Sequence, residues 1–158
     1  MSEFPHLIRR FLGSWRARSL SPAEQQEVAV LLRPGEAALF WAQPAADQRH
    51  GLVCARHAVD RAPGRVDLAR AALLHDVGKC SAGLGTLGRS LASGLRLLNL
   101  PARGRLGGYL DHGARGATDL ESVRSEVAIV AFARHHHGDR PDLIPLEDWE
   151  VLQAADGH

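Results

Sequence analysis

The stretch Leu73-Leu74-His75-Asp76-Val77-Gly78-Lys79 decides the fold of this chain. It closes an apolar run with an adjacent imidazole and carboxylate, so one short backbone segment offers a neutral nitrogen and an anionic oxygen. The carboxylate has two oxygens and can bridge two cations, whereas a ring nitrogen binds one. Outward from it, His50 stands upstream, His112 and the run His135-His136-His137 stand downstream, and Asp156 closes the series. Histidine with aspartate is a mixed borderline and hard donor set. It suits iron, manganese, cobalt, nickel or zinc rather than calcium or magnesium alone.

The residues around this stretch read as helix. Val66 to about Val77 is the most apolar segment, a buried helix that delivers His75 and Asp76 at its C-terminal end with Gly78 as its stop. Upstream, Ser21-Pro22-Ala23-Glu24 has the pattern of an N-cap, a first-turn proline and a glutamate reaching back. That helix carries Val28, Leu31 and Leu32 and ends at Pro34-Gly35. A short helix from Glu36 through Trp41 follows, and Asp47 is expected to cap a helix through His50, Val53, Cys54 and His57, broken by Pro63-Gly64. Downstream, the spacing predicts a helix within Leu91 to Leu100, another starting near His112, and a strongly apolar one from Val127 to His135. Gly138 to Pro145 reads as a loop and Glu147 to Asp156 as a last helix.

Near the start, Phe4, Leu7, Ile8, Phe11, Leu12 and Trp15 recur at helical spacing with Arg9, Arg10, Arg16 and Arg18 between them. This is read as a docking helix with a solvated basic face, in preference to a membrane or nucleic-acid surface. No strand alternation, repeat or low-complexity tract occurs. The expected class is all-α: a single compact helical bundle at residues 47–158, with residues 1–46 as an N-terminal helical extension packed on it.

Composition narrows the function. A chain of 158 residues can bury roughly 70% of its unfolded surface as one domain without staples. A formal net charge of +1 gives no case for a nucleic-acid duplex as partner. Two cysteines, Cys54 and Cys80, are too few for a disulfide framework and match no thiolate metal motif. No apolar run approaches the ~20 residues of a membrane span. The expectation is a reduced, cytoplasmic, soluble protein with no membrane partner. Of the 19 basic side chains, all but Lys79 are arginine. The exception sits three residues after the His-Asp pair, where a compact ammonium can neutralise a phosphoryl oxygen.

His50, His75, Asp76, His112, His135 and Asp156 are too many groups for one catalytic ion that keeps positions open, and they suit two ions sharing Asp76. They lie on different helices, which predicts a site in the bundle core. His57 shares a helix face with His50. His50 is preferred because it opens its helix, while His57 lies close to the Pro-Gly break. His6, His57 and His158 are read as ordinary histidines, and part of the triple run as a solvated helix end.

Residues 47–156 resemble the HD superfamily of metal-dependent phosphohydrolases. The resemblance rests on His50 in Asp47-Gln48-Arg49-His50-Gly51-Leu52, on Leu74-His75-Asp76-Val77-Gly78-Lys79, and on Ala155-Asp156. The segments His112-Gly113-Ala114-Arg115-Gly116-Ala117 and His135-His136-His137-Gly138 are similar to the two-metal branches, among them small bacterial proteins that hydrolyse dinucleoside polyphosphates symmetrically. The HD-GYP phosphodiesterases share the histidine doublet, but Gly138-Asp139-Arg140-Pro141 stands where their Gly-Tyr-Pro would be.

The resemblance implies a first ion on His50, His75, Asp76 and Asp156, and a second on Asp76, His112 and His135, with His136 as a further candidate. Iron or manganese would fill the pair foremost, with zinc, cobalt or nickel as alternatives. A hydroxide held between two cations would attack phosphorus in line. Lys79 would act with Asp76 in catalysis and bind substrate, and Arg115 or Arg140 would hold a further phosphate. The implied substrate is a small phosphorylated molecule, a nucleotide first. Two other readings keep the same residues: a mixed-valent di-iron oxygenase of the same fold, and a metal- or nucleotide-binding sensor without turnover.

Overall fold

The computed structural model describes residues 19–82 and 112–157. Among them the chain forms seven α-helices and one 3-10 helix, with no strand. They are α1 (Pro22–Leu31), α2 (Pro34–Trp41), α3 (Ala45–Arg61), α4 (Val66–Leu74), the 3-10 helix (Val77–Ala82), α5 (His112–Ser122), α6 (Val127–His135) and α7 (Leu146–Asp156). The all-α bundle expected from the sequence is the fold. The segments read as helix at 4–15 and 91–100 lie outside the described residues. No helix among the described residues is long and apolar enough to cross a membrane.

Local chemistry sets most boundaries. Ser21 Oγ accepts from the Glu24 amide at 3.3 Å, and Glu24 Oε2 accepts from the Ser21 amide at 2.8 Å, so α1 begins with the reciprocal cap its sequence predicts. Pro34 opens α2 two residues before the expected start. There Glu36 reaches back to the Arg33 amide at 3.0 Å. Asp47 does not cap α3. The Pro44 carbonyl accepts from the amides of Asp47 and Gln48 at 2.9 and 3.0 Å, which starts the helix at Ala45 and places Asp47 inside its first turn.

The expected run of α4 to Val77 also differs. The α-helix ends at Leu74, His75 and Asp76 occupy a turn, and a tighter helix follows in which the Lys79 amide donates to the Asp76 carbonyl at 3.0 Å. Gly78 is no left-handed stop, since among the described glycines only Gly64 has positive φ. It allows close approach instead. A Cβ built there would lie 2.0 Å from the His112 carbonyl oxygen and 2.4 Å from the Gly116 nitrogen. Gly51 has the same function between α3 and α4, where a Cβ would meet the Leu73 carbonyl oxygen at 2.7 Å.

Small residues extend this close packing: Ala55, Ala58, Ala71, Ala72, Ala117, Ala133 and Ala155 are buried beside Phe40, Leu52, Leu73, Leu74, Leu120, Phe132 and Leu152. The α4 helix lies between α3 and α6, α5 packs on α6 and on the 3-10 helix, and α7 crosses α3 and α4. At the outer layer α1 is fixed to α3 by ion pairs, Glu24 with Arg49 at 3.1 Å and Glu27 with Arg56 at 2.6 Å. Wholly buried Glu36 accepts from Ser125 Oγ at 2.8 Å and stands 3.6 Å from Arg70 Nε, tying α2 to α4 and to the α5–α6 turn.

Two outcomes follow. Gly78→Ala should destabilise the fold by about 1–3 kcal/mol, because a backbone oxygen cannot yield as a side chain can; a denaturation midpoint equal to that of the wild type would contradict the close approach. The hydrogen bond from Arg49, with those from Ser21, holds Glu24 at about 2 against its ordinary 4.5. A depressed carboxylate contributes stability that is present above pH 4.5 and lost as pH falls toward 2. Glu24→Gln should therefore flatten the acid side of the melting-temperature profile and leave its shape above pH 5 unchanged.

Candidate metal centre

Five helix segments converge on Asp76. The first turns of α3 bring His50, the turn after α4 brings His75 and Asp76, the first residue of α5 is His112, the cap of α6 is His136, and the last residue of α7 is Asp156. Placing ligands at helix ends lets short backbone segments meet at one point while the helix bodies pack apart. His75, Asp76, His112 and His136 are all nearly buried.

The two oxygens of Asp76 face different partners. Oδ2 lies 3.3 Å from His75 Nε2 and 3.8 Å from His50 Nε2. Oδ1 lies 3.3 Å from His112 Nε2 and 3.6 Å from His136 Nε2. On the Oδ2 side, Asp156 Oδ1 stands 3.0 Å from His75 Nε2 and 3.7 Å from His50 Nε2. On the Oδ1 side, the Nε2 atoms of His112 and His136 face each other at 3.3 Å. Lys79 pairs with Asp76 Oδ2 from the adjoining turn.

These atoms crowd without hydrogen-bonding well. His75 Nε2 and Asp76 Oδ1 are buried, and neither has an aligned hydrogen-bond partner. Leaving such atoms unsatisfied costs roughly 1–3 kcal/mol each, so a native site needs another occupant. Donors about 2.0–2.1 Å from one ion stand roughly 3.0–3.4 Å apart around it, close to the spacings seen. The ring orientations agree. Nδ1 of His75 lies 2.8 Å from the Ala72 carbonyl and Nδ1 of His136 lies 2.8 Å from the Ala133 carbonyl. An Nδ1–H donating to each carbonyl leaves Nε2 to face the cluster. Gln153 Nε2 donates to the His136 carbonyl at 2.7 Å, so α7 also holds the turn that carries His136. The residues therefore fit a pair of metal ions.

Electrostatics point the same way. Burial pushes the Asp76 carboxyl up, but the charges of His75 and Lys79, with the imidazoles of His112 and His136 close to Oδ1, outweigh it and hold Asp76 well below the usual range. Burial likewise works against Asp156, yet His50 and His75 hold it low. Burial would lower His75, but Asp76 and Asp156 outweigh it and push it up to about 10. Burial prevails at His136, which is lowered. The two carboxylates are thus held toward their charged forms and His75 toward its protonated form by one another.

Two donor groups result: His50, Cys54, His75 and Asp156 in one, and Asp76, His112, His136 and His137 in the other. The structure brings together six of the seven residues expected as ligands. His135 is in neither group. It ends α6, and the next residue, stepping about 100° around the axis, turns His136 into the core. His137 is exposed, yet its ring lies 3.9 Å from that of His136 and 5.1 Å from that of His112. No periodicity signal marks a residue beyond a helix end. Cys54 lies in the first group although sequence spacing shows it only as a core position one turn from His50. His57 stays outside both groups. Arg115 is exposed on the first turn of α5, one turn from His112. Arg140 is exposed and donates to the Ile144 carbonyl within its loop.

Helices that deliver a His…His-Asp…Asp set to one buried point define an HD-domain protein. Residues 36–155 match the family model described as "Cas3, HD domain", and the chain belongs to that family. Comparison with curated proteins and with solved structures gave no match.

A divalent transition metal should raise the melting temperature of metal-free protein, and a chelator should reverse it; an ion at 100 times its Kd contributes about 2.7 kcal/mol. Asp76→Asn should abolish most of that rise. A rise undiminished in the variant would mean that the ion binds elsewhere.

Proposed function

We propose that the chain is a metal-dependent phosphohydrolase acting on a nucleotide or other phosphoester, with Asp76 shared between two divalent ions. The division of the Asp76 oxygens between the two donor groups carries this reading. His50, His75 and Asp156 would complete the first position, and His112 and His136 the second, with His137 at its open edge. Two bound cations would supply Lewis acidity toward phosphoryl oxygens and an activated water.

The protein's own contribution is positional and electrostatic. The carbonyls of Ala72 and Ala133 fix the tautomers and aim both Nε2 atoms inward. Phe132 lies behind the cluster with its ring 6.1 Å from His75 and 5.9 Å from His136, and it packs edge-on against Trp149 at 5.7 Å. That apolar wall excludes water from one side and strengthens every charge interaction on the other. With cations neutralising Asp76, Lys79 would turn its ammonium to the phosphoryl group. Arg115, one turn from His112, would hold a distal phosphate, as would Arg140 through guanidinium N–H groups beyond the one given to Ile144.

Purified protein loaded with iron, manganese, zinc or cobalt should hydrolyse at least one member of a panel spanning phosphomonoesters, cyclic and linear dinucleotides, dinucleoside polyphosphates and single-stranded oligonucleotides. Lys79→Met should lower kcat/KM on that substrate by about 100-fold or more while leaving the metal content at the wild-type value. His112→Ala should lose one of two equivalents by elemental analysis. Loaded protein that turns over nothing in the panel would sink the hydrolase reading.

A further inference from the structure

Cys54 is wholly buried on α3, one turn after His50. Its Sγ lies 3.6 Å from Nε2 and 3.8 Å from Nδ1 of His50. One donor atom from each of His50, Cys54, His75 and Asp156 lies within 4.8 Å of all the others. Donors on opposite sides of one ion stand about 4.1–4.4 Å apart, allowing ~2.3 Å for sulfur and ~2.0–2.1 Å for nitrogen or oxygen. The four groups thus span little more than one coordination sphere. A second observation is independent of the sulfur. His75 Nε2, on a residue only 1% exposed, lies in the same group with no aligned hydrogen-bond partner.

We propose that Cys54 is a ligand of the first ion through its sulfur, a donor that the second position lacks. This rests on the two-ion reading above. On binding, the S–H bond breaks, the proton passes to solvent, and a sulfur lone pair forms the bond to the ion; nothing is oxidised or reduced. The other group offers only nitrogen and oxygen, from Asp76, His112, His136 and His137. The two positions therefore differ in softness. The Cys54 side favours thiophilic ions such as zinc, cobalt or ferrous iron over manganese and magnesium, and the His137 side accepts harder ions. A buried cysteine that merely packs as a small hydrophobe would confer no such difference.

Cobalt(II) separates the two. The full chain, loaded with cobalt, should show sulfur-to-cobalt charge-transfer absorption in the near ultraviolet. Cys54→Ala and Cys54→Ser should lose that band and bind one of the two cobalt ions about tenfold more weakly or worse, with far-ultraviolet circular dichroism reporting the fold. Cys80→Ala should keep the band. Wild-type protein that binds two cobalt ions without the band overturns the sulfur ligand and leaves the two-ion reading standing, a result that needs no variant to fold. A band lost with Cys80 and retained without Cys54 overturns it as well. Wild-type protein that takes up no cobalt, zinc or manganese overturns both readings.

Discussion

The carboxylate of Asp76 is an anion removed from water, and an isolated buried charge is too costly for a domain of this size to hold uncompensated. Its surroundings answer that cost from every side. His75 and Lys79 lie beside it in sequence, His50 comes from α3, His112 from α5, and His136 from the end of α6. Each partner faces one oxygen or the other, so the position of Asp76 fixes where three other helices must approach it. The helices are arranged so that their termini meet there.

Close backbone contact makes that meeting possible. His50 and His75 belong to helices whose approach depends on Gly51, and Asp76 and His112 to segments whose approach depends on Gly78. A side chain at either position would drive apart ligands whose useful separations are only a few ångströms. The alanines along α3, α4, α6 and α7 serve the same end across the body of the bundle. Phe132 then supplies bulk directly behind the cluster, against His75, His136 and Trp149. Packing and site geometry are thus one constraint, since the residues that let the helices approach are sequence neighbours of the clustered donors.

The same geometry gives the site two unlike halves. One face of Asp76 looks onto a buried group that includes Asp156 and Cys54, and the other onto a group of imidazoles that reaches the surface at His137. Held by two carboxylates, the first half is the more strongly negative, and His75 and Lys79 neutralise it when no ion does. The second half opens toward the first turn of α5, where Arg115 is exposed.

Much of this was legible in the residues. Ser21 and Glu24 form the predicted cap, Val127–His135 is the predicted helix, and the order His50, His75-Asp76, His112, Asp156 named the segments that meet. These features are local, because a cap, an apolar period or a donor type depends on residues a few positions apart. The tertiary structure alone decided the rest. It ended α4 at Leu74, because a tight turn is what brings Gly78 against the backbone of α5. It chose His136 and His137 over His135, because the direction of a side chain past a helix end is set by the turn and by what holds it, here Gln153 on α7. It brought Cys54 beside His75 and Asp156, because the ends of α4 and α7 close there on the face of α3 that carries His50. Sequence fixes which atoms can donate, and the packing of helix ends fixes which of them point to the same place.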